Sequence, residues 1–272
     1  MADVERARLL IGRLGGPDLS PYKDAVVLRR LLARSRVLGL PSIAAYLDRL
    51  ERGDEEARAE VDLLERRLSV QVSSFFRNPE VFRHLEEDVL PVLLREAGTG
   101  GMVRVWCAAC AHGQEAYSLA AALLRRVRLG RLGTAVSVLG SDVDAAAVAT
   151  ARGATYSQRS LTGLSPGVIE EMFEPAAGGR SVVREEIRRL VSFRRADLLD
   201  LSTYPERIDL VSCRNLLIYL RRDVQERVLV ALAGALRPGG FLVLGQGETV
   251  LGRPWSLFDH VSPGHRIYRK PT

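Results

Sequence analysis

Polar side chains directly follow two apolar segments that have the length and composition of buried strands. Asp142 follows the strand predicted over Ala135–Ser141, and Arg214 and Asn215 come just after the strand predicted over Ile208–Ser212. In a parallel sheet the carboxyl ends of the strands lie at one edge, where ligands bind. A carboxylate at the end of a second strand commonly accepts hydrogen bonds from ribose hydroxyls. The pattern therefore predicts a ribose-containing ligand at this edge.

The two acids of the GSDVD segment also fit a second role as helix caps, because a short carboxylate satisfies free backbone N–H groups at a helix start. Asp142 and Asp144 are the residues concerned. We divide the roles: Asp142 is predicted to hold the ribose, and Asp144 is predicted to cap the helix over Ala145–Arg152.

The loop after the first predicted strand, Val103–Cys107, consists of small residues that let a backbone approach a ligand. It reads CAACAHG and leads into a helix predicted over Gln114–Arg128. Its single glycine is a weak nucleotide-binding signal, and a tight strand-to-helix turn explains the stretch equally well. Cys107 and Cys110 form a CxxC pair, but no second pair or suitably spaced histidine accompanies them, so we predict no metal site.

The elements that must position these residues alternate between strand and helix. Short apolar runs that alternate with helices indicate a parallel sheet covered on both faces, which is an α/β fold. Strands are predicted over Val103–Cys107, Ala135–Ser141, Leu190–Phe193, Ile208–Ser212, Phe241–Gly245 and Arg266–Arg269. Helices are predicted from Asn78 to about Glu96 and over Gln114–Arg128, Ala145–Arg152 and Arg222–Leu236.

Residues 1 to about 68 are predicted to be entirely helical. Asp18 and Pro21 mark the start of one helix, and further helices are predicted over Ser42–Arg52 and Asp54–Arg67. Before residue 45 the region has eight basic residues against four acidic ones. These basic residues are Arg6, Arg8, Arg13, Lys23, Arg29, Arg30, Arg34 and Arg36. The excess predicts either a docking surface for an acidic partner or a solvated helix face.

Length and composition exclude several protein classes. The 272 residues can bury a hydrophobic core, and three cysteines cannot build a disulfide scaffold. No apolar run approaches the ~18 residues of a membrane span, and the acidic N-terminus does not resemble a secretion signal. We therefore expect a reduced cytoplasmic location. The net charge of +6 suits an anionic partner, but acids are interleaved throughout, so no segment is predicted to be a nucleic-acid arm.

Together these motifs resemble the CheR-type family, the S-adenosylmethionine-dependent methyltransferases that esterify glutamates of bacterial chemotaxis receptors. The resemblance covers nearly the whole chain. The motifs that carry it, in order, are the basic helix LRRLLARSRVLGLPSIAAYLDRL, SSFFRN, RVWCAACAHGQEAYSLA, GSDVD, ARGATY, CRNLLIY and LRPGGFLVLG.

The resemblance implies a class I S-adenosylmethionine-dependent methyltransferase fold, which is a Rossmann-like doubly wound sheet. It also implies a small N-terminal all-helical domain over 1–70, which would dock the substrate, and a methyltransferase domain over 71–272. A small β-hairpin insertion is expected within the methyltransferase domain, at about 173–193. Gly178 and Gly179 fit the turn of that hairpin. Because this turn is short, we expect the protein not to depend on gripping a receptor tail there.

The resemblance also implies roles for individual residues. Arg77 and Tyr219 would lie nearest the transferred methyl group and act in catalysis. The residues implied to bind S-adenosylmethionine are Gln71, Ser73, Arg77, Ala108, Gln114, Asp142, Asp197, Leu198, Arg214 and Asn215. Gln114 stands where the family usually has a glutamate near the ammonium group of the cofactor, so a charge-assisted contact is replaced by a neutral one.

The implied activity is transfer of a methyl group from S-adenosylmethionine to glutamate side chains of a chemoreceptor, with S-adenosylhomocysteine as the product. The implied partner is the cytoplasmic helical domain of a chemoreceptor-like protein, and we expect a monomer with no membrane insertion and no nucleic-acid partner. Two alternatives stay open. One is a non-catalytic S-adenosylmethionine-binding regulator, and the other is a nucleic-acid methyltransferase, which would need a base-stacking platform.

Overall fold

The computed structural model describes residues 2–68 and 73–272. These residues group into two compact units. One contains the N-terminal helices together with the segment Tyr219–Gln225. The other contains the remaining described residues and is built around a β-sheet.

The helical unit buries the apolar face of each of its helices in a common core. Its helices are α1 (Ala2–Arg13), α2 (Asp24–Val37), α3 (Ile43–Glu51) and α4 (Glu55–Leu68). The core contains Val4, Leu10, Ile11, Leu31, Tyr46, Leu47, Leu50, Val61 and Leu64. Ser42 caps α3 by accepting the N–H of Ala45, as expected for a serine at this position.

Helix α2 begins later than the sequence predicts. The expected start at Asp18 and Pro21 is wrong, since α2 begins at Asp24. The Asp18 carboxylate instead accepts the N–H and hydroxyl of Ser20 and closes a local turn. Pro21 then leads into Tyr22, which forms a β-bridge with Leu220 in the same unit. The chain is extended there, so the helix cannot start until after this bridge.

A buried ion pair crosses the core of the helical unit. The guanidinium of Arg34 donates to both oxygens of Glu60, with N–O distances of 2.6 Å, and the Tyr46 hydroxyl donates to Glu60 at 3.0 Å. Both charged side chains are almost fully buried. The prediction that Arg34 belongs to a basic docking surface is therefore wrong, because its buried side chain holds α2 against α4.

The second unit contains the alternating helices and strands. Its helices are α5 (Pro79–His84), α6 (Leu90–Ala97), α7 (Gln114–Gly130), α8 (Ala145–Gly153), α9 (Pro166–Met172), α10 (Glu185–Arg188) and α11 (Arg222–Ala235). The first turn of α11 groups with the helical unit. No helix in the described part of the chain has the length and apolar character needed to cross a membrane.

Within the described residues, seven strands form one sheet in the order β6-β2-β1-β7-β8-β10-β9. They are β1 (Met102–Ala108), β2 (Ala135–Asp142), β6 (Val191–Arg195), β7 (Ile208–Cys213), β8 (Leu236–Leu244), β9 (Asp259–Ser262) and β10 (Ile267–Arg269). Neighbours from β6 to β8 are parallel, and β10 pairs antiparallel with β8. The predicted α/β fold is confirmed.

Two features of this sheet differ from the prediction. Strand β8 begins at Leu236, although residues 237–240 were expected to form a turn before it. The left-handed Gly239 lies within the strand, and a register shift opposite Ile208 absorbs the irregularity. Strand β9 was not predicted, because its four residues show no clear alternation of apolar and polar side chains.

The helix predicted from Asn78 to about Glu96 is interrupted. Between α5 and α6 the chain makes one π-helical turn, Leu85–Val89, in which the N–H of Leu90 donates to the carbonyl of Leu85. Pro91 follows directly and has no N–H to donate to the carbonyl four residues earlier. The wider turn accommodates this missing donor.

A second, three-stranded sheet has the order β3-β5-β4. Strands β4 (Phe173–Ala176) and β5 (Arg180–Val183) form the predicted hairpin, and Gly178 and Gly179 both adopt left-handed backbone angles in its turn. The third strand, β3 (Thr155–Ser157), pairs antiparallel with β5 and was not predicted. Its three residues are too few to show an alternating pattern.

The buried pair in the helical unit leads to a stability prediction. Replacing Arg34 with Met leaves the Glu60 carboxylate buried without its cation, which is expected to lower the free energy of unfolding by about 3 kcal/mol. The exposed Arg36, on the same helix, is the matched control, and Arg36→Met should change it by less than about 0.5 kcal/mol. Urea denaturation followed by circular dichroism measures both, and equal effects would contradict the assigned role.

Candidate functional site

Four loops meet at the carboxyl edge of the parallel sheet. Strands β2, β1, β7 and β8 are parallel neighbours in that order, so the loops that follow them lie side by side. Asp142, Arg214 and Asn215, the polar residues that the sequence analysis predicted to bind a ligand, lie at this edge. It is also the edge where ligands bind in sheets of this kind.

The loop after β1 has an unusual backbone. Ala109 and Ala111 adopt left-handed angles with φ of 57° and 48°, and Gly113 has φ of 88°. Two hydrogen bonds hold the loop against the end of β2: Cys110 N–H donates to the Ser141 carbonyl at 2.9 Å, and Ala111 N–H donates to Asp142 Oδ2 at 2.8 Å. The backbone strain is thus maintained by neighbours that fix the loop in place.

The two acids after β2 have separate roles. Asp144 caps α8 by accepting the N–H groups of Ala146 and Ala147, which confirms its predicted role. Asp142 is buried, and its Oδ1 accepts the N–H of Asp144 at 3.0 Å. Each carboxylate oxygen can accept more than one hydrogen bond, so the protein contacts of Asp142 leave capacity for ribose hydroxyls. Its ribose role stays a prediction.

Gln114 is the first residue of α7 and is buried. Among the described residues, its side-chain oxygen Oε1 has no hydrogen-bond partner. Native structures rarely leave a buried acceptor unsatisfied, so such an atom points to a missing donor. The ammonium group of an amino-acid ligand is a donor of this kind, and Gln114 therefore fits the position implied for it.

Glu115 was missed by the sequence analysis, although it follows Gln114 directly. Its buried carboxylate accepts the Ser212 hydroxyl at 2.5 Å and Nη1 of Arg214 at 3.3 Å. The Cys107 thiol also lies 3.7 Å from it. The signal that the sequence offered was an acid two residues after the loop glycine. Its contacts tie the start of α7 to the end of β7.

Arg214 extends this network to the SSFFRN segment. Its Nη2 donates to the carbonyl of Arg77 and to Oδ1 of Asn78, both at 2.8 Å. Phe76 and Asn78 are left-handed, with φ of 48° and 61°. The Arg214 side chain, which is almost fully buried, thus holds the backbone that carries Arg77. The contact of Arg214 with the cofactor, which the family resemblance implies, stays a prediction.

The structure brings several other predicted residues to the same edge. Asp197 lies two residues beyond Arg195, which stands opposite Asp142 in the parallel register of β6 and β2, and the Leu198 carbonyl accepts the Tyr204 hydroxyl at 2.8 Å. Ala108 is the last residue of β1 and is buried.

The remaining predicted residues are placed as follows. Asn215 is left-handed and directly follows Arg214. Ser73 is half-buried. Tyr219 groups with the helical unit, where its carbonyl accepts the N–H of Lys23. Gln71 lies outside the described residues.

The cysteines are packing residues in this structure. Cys107, Cys110 and Cys213 are buried free thiols. Burial raises the pKa of the Cys107 thiol, and the nearby Glu115 carboxylate acts in the same direction. Burial likewise raises the pKa values of Cys110 and Cys213. Such thiols stay protonated at neutral pH and are poor nucleophiles.

In the large sheet, β10 lies between β8 and β9 and runs antiparallel to both. This strand order and the polar loops at the carboxyl edge define a class I S-adenosylmethionine-dependent methyltransferase fold. Residues 71–263 match the CheR methyltransferase, SAM binding domain, and residues 2–69 match the CheR methyltransferase, all-alpha domain. The chain belongs to the CheR methyltransferase family. Its cofactor is S-adenosylmethionine, and the unpaired oxygen of Gln114 and the spare acceptor capacity of Asp142 fit that cofactor.

Two of the proteins similar in sequence to this chain are named chemotaxis protein methyltransferases. Chemotaxis protein methyltransferase 1 of Pseudomonas aeruginosa is 32% identical over 98% of this chain and 97% of its own length. A probable chemotaxis protein methyltransferase of Rhizobium etli is 32% identical over 94% of this chain and 95% of its own length. An uncharacterized 104.1 kDa protein of Rhodobacter capsulatus is 36% identical over 94% of this chain, but the chain spans only 26% of that protein.

The left-handed turn at Gly113 leads to a prediction. A Cβ at this position would lie 2.8 Å from Ala151 Cβ and 3.0 Å from Phe193 Cζ. Gly113→Ala is therefore expected to lower the free energy of unfolding by about 2 kcal/mol or more, through backbone strain and crowding. Gly153→Ala is the matched control, because a Cβ at Gly153 meets nothing within 4 Å and alanine favours a helix. Urea denaturation would contradict the prediction if both variants unfolded alike.

Proposed function

We propose that this protein transfers the methyl group of S-adenosylmethionine to glutamate side chains of a chemoreceptor, in chemotaxis-type signalling. Membership in the CheR methyltransferase family carries this proposal, because both the SAM-binding domain and the all-alpha domain of that family match the chain. The names of relatives that align over nearly the whole chain support the chemotaxis setting. The proposal includes a cytoplasmic location, where such a receptor domain would be reached, and a monomeric enzyme.

Residues at the carboxyl edge of the sheet are proposed to bind the cofactor. Asp142 accepts the ribose hydroxyls, and Gln114 Oε1 accepts a hydrogen bond from the amino group. Asp197 and Leu198 flank the adenine, and Ala108 lines the loop beside it. Arg214 and Asn215 complete the wall, and Gln71, Ser73 and Arg77 border the methionine end of the cofactor. This set rests on the family resemblance and on the loop geometry described above.

In the proposed methyl transfer, the main task of the protein is to orient the carboxylate and the methyl group. The bound cofactor supplies an electrophilic methyl group on a sulfonium. A glutamate side chain, with a reference pKa near 4.3, is ionised at neutral pH and needs no general base. Arg77 is suited to hold that carboxylate through its planar, bidentate guanidinium. Tyr219 would orient the reacting groups through its hydroxyl, so that binding energy is used for alignment.

The docking surface for the receptor is proposed to be the exposed face of α2. Arg29, Leu32 and Arg36 lie on one side of this helix, at spacings of three and four residues, and all three are exposed. Arginines beside an apolar side chain suit a receptor helix that carries glutamates. Opposite charges on the two surfaces would also accelerate their encounter.

The activity is tested with tritium-labelled S-adenosylmethionine and purified cytoplasmic domains of candidate chemoreceptors. Carboxyl methyl esters hydrolyse in alkali, so label released as methanol at high pH identifies ester formation, whereas N-methyl groups stay bound. Label that enters RNA or DNA would support a nucleic-acid methyltransferase. Binding of S-adenosylhomocysteine without transfer to any receptor would support a regulator. No binding at millimolar ligand would contradict the proposal.

Arg77 provides a prediction for the chemical step. Arg77→Lys keeps the charge but removes the bidentate fork, and the expected result is a fall of about 100-fold in kcat/KM, because misplacing a reacting group by about 1 Å has that effect. The substitution leaves the Arg77 carbonyl, which accepts the hydrogen bond from Arg214, in place. The exposed Arg83 gives the control Arg83→Lys. Unchanged turnover of Arg77→Lys would remove the catalytic assignment.

The face of α2 provides a prediction for receptor docking. The double variant Arg29→Glu, Arg36→Glu is expected to raise KM for the receptor domain about tenfold at low salt and to reduce the dependence of KM on salt. Arg52→Glu, Arg58→Glu changes the charge of the same unit equally and uses exposed residues outside α2. If the two double variants raised KM alike, net charge and not the face of α2 would explain the effect.

A further inference from the structure

Glu248 lies in the loop after β8 and is almost fully buried, although it forms no ion pair among the described residues. Its Oε2 accepts the N–H of Gly245 at 2.7 Å and the N–H of Asn215 at 2.8 Å. Its Oε1 accepts the N–H of Ile218 at 3.2 Å, and the N–H of Leu217 is a further donor. One carboxylate thus satisfies backbone groups from two different loops.

The loop that follows β7 directs several backbone N–H groups to the Glu248 side chain. Asn215 is left-handed, with φ of 61°, and the N–H groups of Asn215, Leu217 and Ile218 all face the same carboxylate. Burial raises the pKa of Glu248, and these backbone N–H groups act in the opposite direction by favouring the ionised form. One side chain thus accepts the N–H groups of three residues in this loop.

Gly245 shows how closely the two loops approach. A Cβ on this residue would lie 2.7 Å from Glu248 Oε2 and 2.8 Å from both the backbone nitrogen and Nδ2 of Asn215. Strands β7 and β8 end here as parallel neighbours, with Cys213 paired to Leu244. The cluster of Gly245, Asn215 and Glu248 therefore lies at the carboxyl edge of the sheet, where this fold binds its ligand.

We infer that Glu248 is a positioning residue for cofactor binding, which acts by holding the loop Asn215–Ile218 in its binding conformation. The inference rests on the proposed cofactor role of Asn215. Glu248 acts through the backbone of this loop and not through a contact of its own with the cofactor. A residue with a merely structural role would affect unfolding, whereas this role requires a loss of affinity in protein that is still folded.

The first test compares Glu248→Gln with Glu248→Asp. Glutamine presents an amide NH₂ where one oxygen now accepts backbone N–H groups, so that side of the loop loses its acceptor. Aspartate keeps both oxygens but is one methylene shorter. Calorimetry with S-adenosylhomocysteine, at a temperature where circular dichroism shows each variant folded, should give a Kd at least tenfold above wild type for Glu248→Gln, or about 1.4 kcal/mol. Glu248→Asp should recover part of that loss.

Asp209 provides the matched control. It is a buried acid near the amino end of β7, the strand whose carboxyl end leads into the loop that Glu248 contacts, and it accepts the N–H of Arg104 at 2.7 Å and pairs with Arg237. Asp209→Asn should lower the melting temperature while leaving the Kd within twofold of wild type. If Glu248→Gln also binds within twofold, or if both variants weaken binding equally, the inference is wrong.

A second perturbation covers the case in which Glu248→Gln does not fold. Gly245→Ala keeps the carboxylate but pushes it away from Asn215, and it is expected to raise the Kd at least tenfold. Gly234→Ala is its control, because a Cβ there meets nothing within 4 Å. A Kd within twofold of wild type for Gly245→Ala overturns the inference. Wild-type protein that fails to bind S-adenosylhomocysteine would instead contradict the proposed function.

Discussion

Backbone N–H groups in the loops after parallel strands have no partner within the sheet, and in this protein buried carboxylates accept many of them. Asp142 accepts the N–H groups of Ala111 and Asp144, which fixes the loop after β1 against the end of β2. Glu248 does the same for the loops after β7 and β8. Because a buried charge is tolerated only when it is fully hydrogen-bonded, each carboxylate also fixes the position of its own donors.

The balance of energies explains why the strained loops persist. A left-handed conformation costs about 1–2 kcal/mol for a residue other than glycine. A hydrogen bond to a charged group contributes about 1.5–3 kcal/mol. Asn215 has one strained backbone conformation, and the carboxylate beside it accepts several N–H groups. These hydrogen bonds offset the strain at Asn215, while burial of the Glu248 side chain acts against its ionised form. Ala111 and Asp142 show the same relation on a smaller scale.

The sequence predicted the parts of the fold that depend on local patterns. The alternating strands and helices, the cap at Asp144 and the hairpin at Gly178 all follow from spacing and residue type. The late start of α2 depends on a bridge to Leu220, nearly two hundred positions away, which no local pattern reveals. Glu115 and Glu248 were missed for a related reason. Each looks like an ordinary surface acid in sequence, and only the packing of distant strands buries it.

The arginines of the helical unit show why net charge is a poor guide to a partner surface. Arg6 and Arg8 pair with acids of the same unit, and Arg34 forms a buried ion pair with Glu60. Basic residues that seemed equivalent in sequence thus divide into those that hold helices together and those that remain exposed, such as Arg29 and Arg36.

The exposed arginines of α2 form a smaller basic surface than the number of basic residues in the sequence suggests. This surface also includes apolar side chains. Leu32 and Val37 are 37% and 66% exposed on the same helix, so apolar area lies on the helix that carries the exposed Arg29 and Arg36. A purely ionic surface would attract any polyanion at low salt and lose it as salt rises. Apolar contact does not weaken with screening, and it requires a partner of matching shape. The proposed partner, a helical receptor domain with glutamates on its surface, fits this combination better than a flexible acidic chain does.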